Sequence, residues 1–196
     1  TVSIVVSARP ITITADAKSK AYGESDPSLT YQITSGSLVG SDAVSGALSR
    51  STGENVGTYT INRNTIAISA NYTITYVSAN LTIGTKAVTV TAAAKTKVYG
   101  ENDPSLTYSI TSGALVGSDA FTGALTRNSG SDVGTYTITQ GTLALSSNYA
   151  LTYVSANLTI TAKPITVTGD TLTKNSSDSD PTLTYQITAG GPLIGS

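Results

Sequence analysis

The chain has 196 residues, of which 12% are charged, and a formal net charge of −1. That balance leaves no basic stripe to follow a phosphate backbone, so nucleic acid is not an expected partner. The longest apolar runs, such as SIVV at residues 3–6, are too short to cross a bilayer. Histidine and cysteine are both absent. Disulfides, the usual zinc ligands, the commonest general base and the thiol nucleophile are therefore excluded, and an enzyme is not expected.

In chain order, residues 1–8 (TVSIVVSA) lack the basic and long apolar regions of a signal peptide. They fall in the register of a later segment, SANLTIGT at 78–85, and read as the closing strand of a preceding repeat, so the chain reads as a piece of a longer protein. The run ITITA at 11–15 alternates Ile11 and Ile13 with Thr12 and Thr14, the period-2 pattern of a strand. Lys18 and Lys20 follow along a strand, where charge is expected to guard an exposed edge. An anion-binding role, or an isopeptide bond from such a lysine to Asn80 or Asn157, is the functional alternative. Then comes YGESDPSLTY at 22–31. LTYQIT at 29–34 places Leu29, Tyr31 and Ile33 on one face. GSDAVSGAL at 40–48 is the one segment with room for a short helical turn, capped by Ser41 or Asp42. GTYTIN at 57–62 and TIAIS at 65–69 alternate again. The last run, YTITYVSANLTI at 72–83, changes phase: Tyr72, Ile74 and Tyr76 share one face, and Val77, Ala79, Leu81 and Ile83 the other. A one-residue slip marks a bulge or a strand that crosses between sheets.

After 77 residues the whole pattern returns. Residues 9–85 align with 86–162 without a gap, 50 of 77 positions being identical, and 163–196 begin a divergent third copy. All eleven tyrosines occupy five repeat positions. The expected organisation is therefore a closing strand at 1–8, repeat 1 at 9–85, repeat 2 at 86–162 and a partial repeat 3 at 163–196. Thr, Val, Ile and Tyr suit a pleated surface, and clean alternation points to antiparallel sheets with one wet face. The expected fold class is all-β: a tandem array of small antiparallel, sandwich-like (Ig-like) domains. The alternative is a β-grasp-like roll with one short helical turn per unit. A unit of this size buries only about 60–65% of its unfolded surface, so neighbouring repeats are the expected stabilising partners. The joins, LTIGTKAVTV and LTITAKPITV, hold no Gly/Ser tract, which argues for a semi-rigid array.

The repeated loop carries the only chemistry dense enough to weigh. One reading is a hard-cation site, with Glu24, Asp26 and Asp42, and Glu101, Asp103 and Asp119 in the second copy, as Ca²⁺ candidates. Ca²⁺ takes six to eight oxygens, and each loop offers two carboxylates, so Asp42 or Glu54 would have to join from elsewhere. The other reading is a structural turn. Tyr22, Gly23, Asp26 and Pro27 would form it in the first copy, Tyr99, Gly100, Asp103 and Pro104 in the second, and Asp180 and Pro181 in the third. The turn is favoured, with no cofactor. Arg50 and Arg127 share one repeat position, and each is expected to pair with a carboxylate of its own unit. The tyrosines are expected to pack in the core with the hydroxyl at the edge.

The order YGExDPSLTYxITSGxLVGSD, GALxR, VGTYTI and NYxxTYVSANLTI resembles the bacterial MBG repeat, named as mostly β and glycine-rich. The resemblance spans both whole units and, more weakly, the third, where Ser176 and Ser177 replace the Tyr-Gly pair. It implies repeat regions of large, secreted, bacterial surface proteins, many of them adhesin-like or biofilm-related, with the repeats as stalk. The expected function is a structural spacer that is extracellular, at the cell surface or secreted, with an unidentified surface or matrix ligand bound elsewhere. Two alternatives are repeats that themselves bind glycan or protein by avidity, and a self-assembling fibre subunit.

Overall fold

A computed structural model describes residues 2–193. Among them every regular element is a strand. The chain divides into two compact units. The first runs to Val88 and adds Ser112–Ala120 and Leu145–Thr152. The second holds Thr89–Thr111, Phe121–Ala144 and the chain from Tyr153 on. The boundary cuts across the second sequence repeat, because two of its segments pack with the first repeat.

The first repeat contributes β1 (Arg9–Ala15), β2 (Lys18–Ala21), β3 (Tyr31–Ser35), β4 (Ser49–Arg50), β5 (Gly57–Asn62), β6 (Tyr72–Val77) and β7 (Ala79–Gly84). They form a three-stranded sheet, β3-β1-β6, and a four-stranded sheet, β2-β7-β5-β4. The phase change expected within 72–83 is a crossing between sheets: the run breaks at Ser78, and β6 and β7 lie in different sheets. β1 and β2 make the same crossing through Asp16 and Ala17.

The tandem all-β array is present, but the sheets are mixed, not purely antiparallel. β1 pairs with β6 in parallel, Ile11 opposite Ile74, and β2 pairs with β7 in parallel, Lys20 opposite Ile83. β1–β3, β5–β7 and β4–β5 are antiparallel. Alternation reports which face is wet, not which way the neighbouring strand runs. The parallel pairs arise because β6 and β7 return to β1 and β2 only after the rest of the repeat, a connection long enough for a parallel crossover.

The core follows the alternation. Ile11 and Ile13 of β1, Ile61 of β5, and Leu81 and Ile83 of β7 are buried. Ala15, Ile61 and Leu81 form a cluster capped by Leu29, Leu48, Tyr59, Tyr76 and Ala79. Burying one such aliphatic side chain contributes about 1.5–3 kcal/mol. Ile33, placed on one face with Leu29 and Tyr31, is exposed on β3, an outer strand of its sheet.

The helical turn expected at 40–48 does not form. Ser45 instead bridges Ala67 antiparallel, and Gly46 (φ +85°) approaches so closely that a Cβ would lie 2.1 Å from the Thr65 carbonyl oxygen. A helix cannot hold that positive φ, and the chain is drawn into a strand-like crossing. The strand expected at 1–8 is also absent over residues 2–8, where Val2, Ile4, Val5 and Val6 are exposed. A strand of the β7 type sits between β5 and β2, and residues 2–8 have no such neighbours. Residue 1 lies outside the described residues.

The second repeat repeats the scheme with β8 (Lys86–Ala92), β9 (Lys95–Val98), β10 (Tyr108–Ser112), β11 (Thr126–Arg127), β12 (Gly134–Thr139), β13 (Tyr149–Val154) and β14 (Ala156–Thr161), in sheets β10-β8-β13 and β11-β12-β14-β9. In the second unit Ala92, Ile138 and Leu158 form the core cluster, and Tyr108 packs edge-on against Phe121 at 5.2 Å. The third repeat adds an antiparallel pair, β15 (Thr166–Gly169) and β16 (Tyr185–Ala189), with Leu183 and Tyr185 exposed. Residues 194–196 of that expected repeat lie outside the described residues.

Candidate functional site

The repeated loop begins where β2 ends. Tyr22 and Gly23 make the turn, with Gly23 at φ +80°, and the Tyr22 amide donates to the Gly84 carbonyl at 2.9 Å. Glu24 turns back to accept from the Ala21 amide at 2.9 Å. The loop then carries Asp26 across to the end of β2 and to β4.

There Asp26 meets two cations. Lys20 Nζ lies 2.6 Å from Asp26 Oδ1 and also donates to Glu54 Oε2 at 2.7 Å and to the Glu24 carbonyl at 2.9 Å. Arg50 grips the same carboxylate with two nitrogens, Nε to Oδ2 at 2.5 Å and Nη2 to Oδ1 at 3.1 Å. Its remaining donors bond the Ser51 and Gly53 carbonyls and Glu54. The guanidinium lies 5.3 Å from the centre of the Tyr59 ring, within cation–π range. The Lys20 side chain is 3% exposed and Arg50 10%, against 39% for Asp26. The cations are therefore held inward and the carboxylate closes over them. The bidentate grip is the strong form of this pair.

β2 is the edge strand expected, but the edge-guard reading fails for Lys20. Lys20 is a buried, ion-paired residue, because its strand β2 is covered by the loop that follows it. The isopeptide alternative loses its geometry too: the ammonium is engaged by two carboxylates and a carbonyl, and Asn80 lies exposed on β7. The expectation that Arg50 pairs within its own unit holds.

The second copy repeats the latch with one member fewer. Lys97 Nζ lies 2.7 Å from Asp103 Oδ1, and Arg127 reaches the same carboxylate at 2.5 and 3.1 Å. Arg127 also bonds the Asn128 and Gly130 carbonyls and sits 5.3 Å from the Tyr136 ring centre. The repeat equivalent of Glu54 is Ser131, so Asp103 is the carboxylate both cations share. The third copy keeps Lys174 and Asp180 at 2.5 Å, both much more exposed.

Hydrogen bonds from Arg50 first, and then from Lys20, hold the Asp26 carboxyl down at about 2. Arg127, then Lys97, does the same for Asp103, also at about 2. Lys20 is raised, chiefly by its hydrogen bond to Asp26. Glu54 is lowered, chiefly by Lys20.

The six Ca²⁺ candidates are not brought together. Asp26 and Asp103 are engaged by Lys and Arg. Glu24 and Glu101 accept backbone amides, the latter from Val98 at 3.0 Å. Asp42 accepts the Tyr72 hydroxyl at 2.7 Å, in place of the capping role expected for it. Asp119 accepts the Tyr149 hydroxyl at 2.6 Å. Among the described residues no three His, Cys, Asp or Glu gather to hold a metal.

Asp119 has a further role that local pattern did not reveal. Within the first compact unit, Tyr22 from the Tyr-Gly turn donates to the same Asp119 Oδ2 at 3.0 Å. The Tyr22 and Tyr149 rings stand edge-to-face with centroids 5.4 Å apart. The hydrogen bond to Asp119, with burial second, raises the Tyr22 hydroxyl above its usual range. Gly23 lies against Val116 so closely that a Cβ would sit 2.3 Å from its Cγ2. Asn148 donates to Asn55 Oδ1 and accepts from the Val56 amide, both at 2.9 Å. The turn of one repeat is thus seated in a socket of the next. The hydroxyls of Tyr59, Tyr72, Tyr76, Tyr136 and Tyr153 bond within their own repeat, Tyr76 to the Ile61 carbonyl and Tyr153 to that of Ile138, both at 2.9 Å. The recurrence of Tyr22, Asp42 and Asn71 at Tyr99, Asp119 and Asn148 was the sequence signal available for this joint.

No curated protein and no solved structure matches the chain. The MBG domain of YGX type matches residues 11–82 and again 88–159, covering most of each repeat and the Tyr-Gly turn of each. The chain therefore belongs to the MBG family, YGX type.

Proposed function

We propose that these repeats are structural spacer segments, the stalk of an extracellular bacterial surface protein of the adhesin or biofilm type, with ligand binding carried elsewhere. The observation behind this reading is the joint. Tyr22, Gly23, Asn55 and Val56 of one repeat are taken up by Val116, Asp119, Asn148 and Tyr149 of the next. A turn committed to a neighbouring repeat serves as a connector. The densest charge cluster, around Asp26, is likewise closed on itself by Lys20, Arg50 and Glu54. A spacer needs both features: each domain latched internally, and each join fixed by side chains instead of by a flexible linker.

Small-angle X-ray scattering of the chain in solution tests the reading. The expected distance distribution is that of an elongated particle with a long tail. A symmetric distribution, as from a compact globule, would count against a spacer.

A further inference from the structure

The socket that receives Tyr22 exists twice in the chain, and it is filled once among the described residues. The first repeat has its own version: Val39, Asp42, Asn71 and Tyr72 stand at the repeat positions of Val116, Asp119, Asn148 and Tyr149. The inner half of the socket is already built in the same way. The Tyr72 hydroxyl donates to Asp42 Oδ2 at 2.7 Å and accepts from the Val39 amide at 2.8 Å. Tyr149 makes the same two bonds to Asp119 and Val116, at 2.6 and 2.8 Å.

Burial separates the two sockets. Val39 is 53% exposed, whereas Val116 is half-buried under Gly23. Asn71 is exposed, whereas Asn148 is half-buried against Asn55 and Val56. Beside Asn71 lies a cleft of about 190 Å³ lined by Val6, Ser7, Ala8, Ala70 and Asn71. Ser7 holds the repeat position of Gly84, whose carbonyl takes the Tyr22 amide in the filled joint. The cleft is therefore placed where an incoming tyrosine of that kind would sit.

We propose that the Val39–Asp42–Asn71–Tyr72 face of the first repeat is a docking site for the Tyr-Gly turn of another YGX-type repeat. The incoming tyrosine hydroxyl donates to Asp42 Oδ2, which already accepts from Tyr72 and has a second lone pair, as Asp119 Oδ2 accepts from both Tyr22 and Tyr149. The incoming glycine lies on Val39, where any Cβ would collide as it would between Gly23 and Val116. Asn71 then meets an amide and a side-chain oxygen, as Asn148 meets Val56 and Asn55. The ligand chemistry is specific: an aromatic hydroxyl followed at once by a residue without a side chain. The third repeat, with Ser176 and Ser177 at those positions, does not offer it. This inference rests on the spacer reading only in taking a further repeat as the partner.

The test uses the absence of cysteine from the chain. The single thiol of a Val39→Cys variant is alkylated in the full chain, and again in a chain carrying an extra copy of residues 9–85 joined directly ahead of Arg9. That join reproduces the Thr85–Lys86 register. Alkylation is expected to slow about tenfold or more in the extended chain, as for a site that must open before it reacts. Tyr22→Ala in the added copy should restore the fast rate. In the unextended chain, a Val116→Cys variant should react slowly and speed up when Tyr22→Ala is added. Equal alkylation rates for Val39→Cys in the two chains overturn the proposal, and so does a Val116→Cys rate indifferent to Tyr22→Ala. Scattering reads shape and alkylation reads docking, so failure of the spacer reading and failure of this one are distinguishable.

Discussion

Leu81→Ala is expected to destabilise the first repeat by about 2–5 kcal/mol, the range for deleting a buried leucine without full collapse of the site. Leu81 is fully buried, and it sits between Ile61 and Ala15, where strands of both sheets meet the core cluster. Its strand β7 is also central, flanked by β2 in parallel and β5 antiparallel. A small domain holds only about 5–15 kcal/mol in total, so one cavity here removes a large share. In a urea titration of the full chain the first repeat should unfold earlier, with the second repeat lagging as a separate step. Val77→Ala is the contrast: Val77 is exposed, and its truncation should change stability by no more than about 0.5 kcal/mol. A Leu81→Ala variant that unfolds with the parent would mean that the cluster does not support the repeat.

Asp103→Ala is expected to cost more than Asp26→Ala, although the two residues hold the same position. Removing Asp103 leaves Lys97 and Arg127, 8% and 16% exposed, without the carboxylate they share. Breaking a fully buried pair from one side costs about 3–5 kcal/mol. Asp103 is itself 39% exposed, so solvent screening brings the expected loss to about 1–3 kcal/mol. Removing Asp26 leaves Glu54 in contact with both Lys20 and Arg50, and the loss should be smaller. The acid response carries the same signature. Both carboxyls are held at about 2 in the folded chain, below the usual unfolded value of about 3.9. A depressed carboxyl stabilises the fold above its unfolded value, and that contribution is lost as pH falls through the folded one. Stability of the parent should therefore decline from about pH 5 toward about pH 2. In Asp103→Ala the decline should be shallower and start from a lower plateau. Denaturant midpoints across that pH range, for parent and both variants, give both comparisons. Equal costs for the two substitutions would contradict the latch.

Much of the fold was legible because repetition and alternation are local. Ile11 and Ile13, and Leu81 and Ile83, were grouped on one face by period alone and prove to be buried, and the slip at Val77 left a bulge or a crossing between sheets, of which the crossing is found. Strand direction was not legible. Ile11 opposite Ile74 is a parallel pair joined by most of the repeat, and alternation is the same for either direction. Lys20 was misread for a related reason. On a short strand of Lys, Ser and Ala it has the pattern of an exposed edge, and the groups that bury it arrive from the following loop and from Glu54, 34 positions away. The joint lay further still, since Tyr22 and Asp119 are 97 residues apart. Within one repeat Asp42 resembles a helix cap or a cation ligand. Only a neighbouring repeat shows that a second tyrosine, Tyr22, joins Tyr149 on its counterpart Asp119.

In both complete copies of the YGxxDP loop the aspartate, Asp26 or Asp103, is committed to lysine and arginine and the glutamate to a backbone amide, which makes the loop a latch. A ligand that binds only the folded state must raise its stability by mass action. The direct test is the melting temperature of the full chain in millimolar Ca²⁺ and in excess chelator. The two curves are expected to superimpose, because a cation would have to displace Lys20 and Arg50 from Asp26, and Lys97 and Arg127 from Asp103. A rise in melting temperature with Ca²⁺ that chelator reverses would contradict the account.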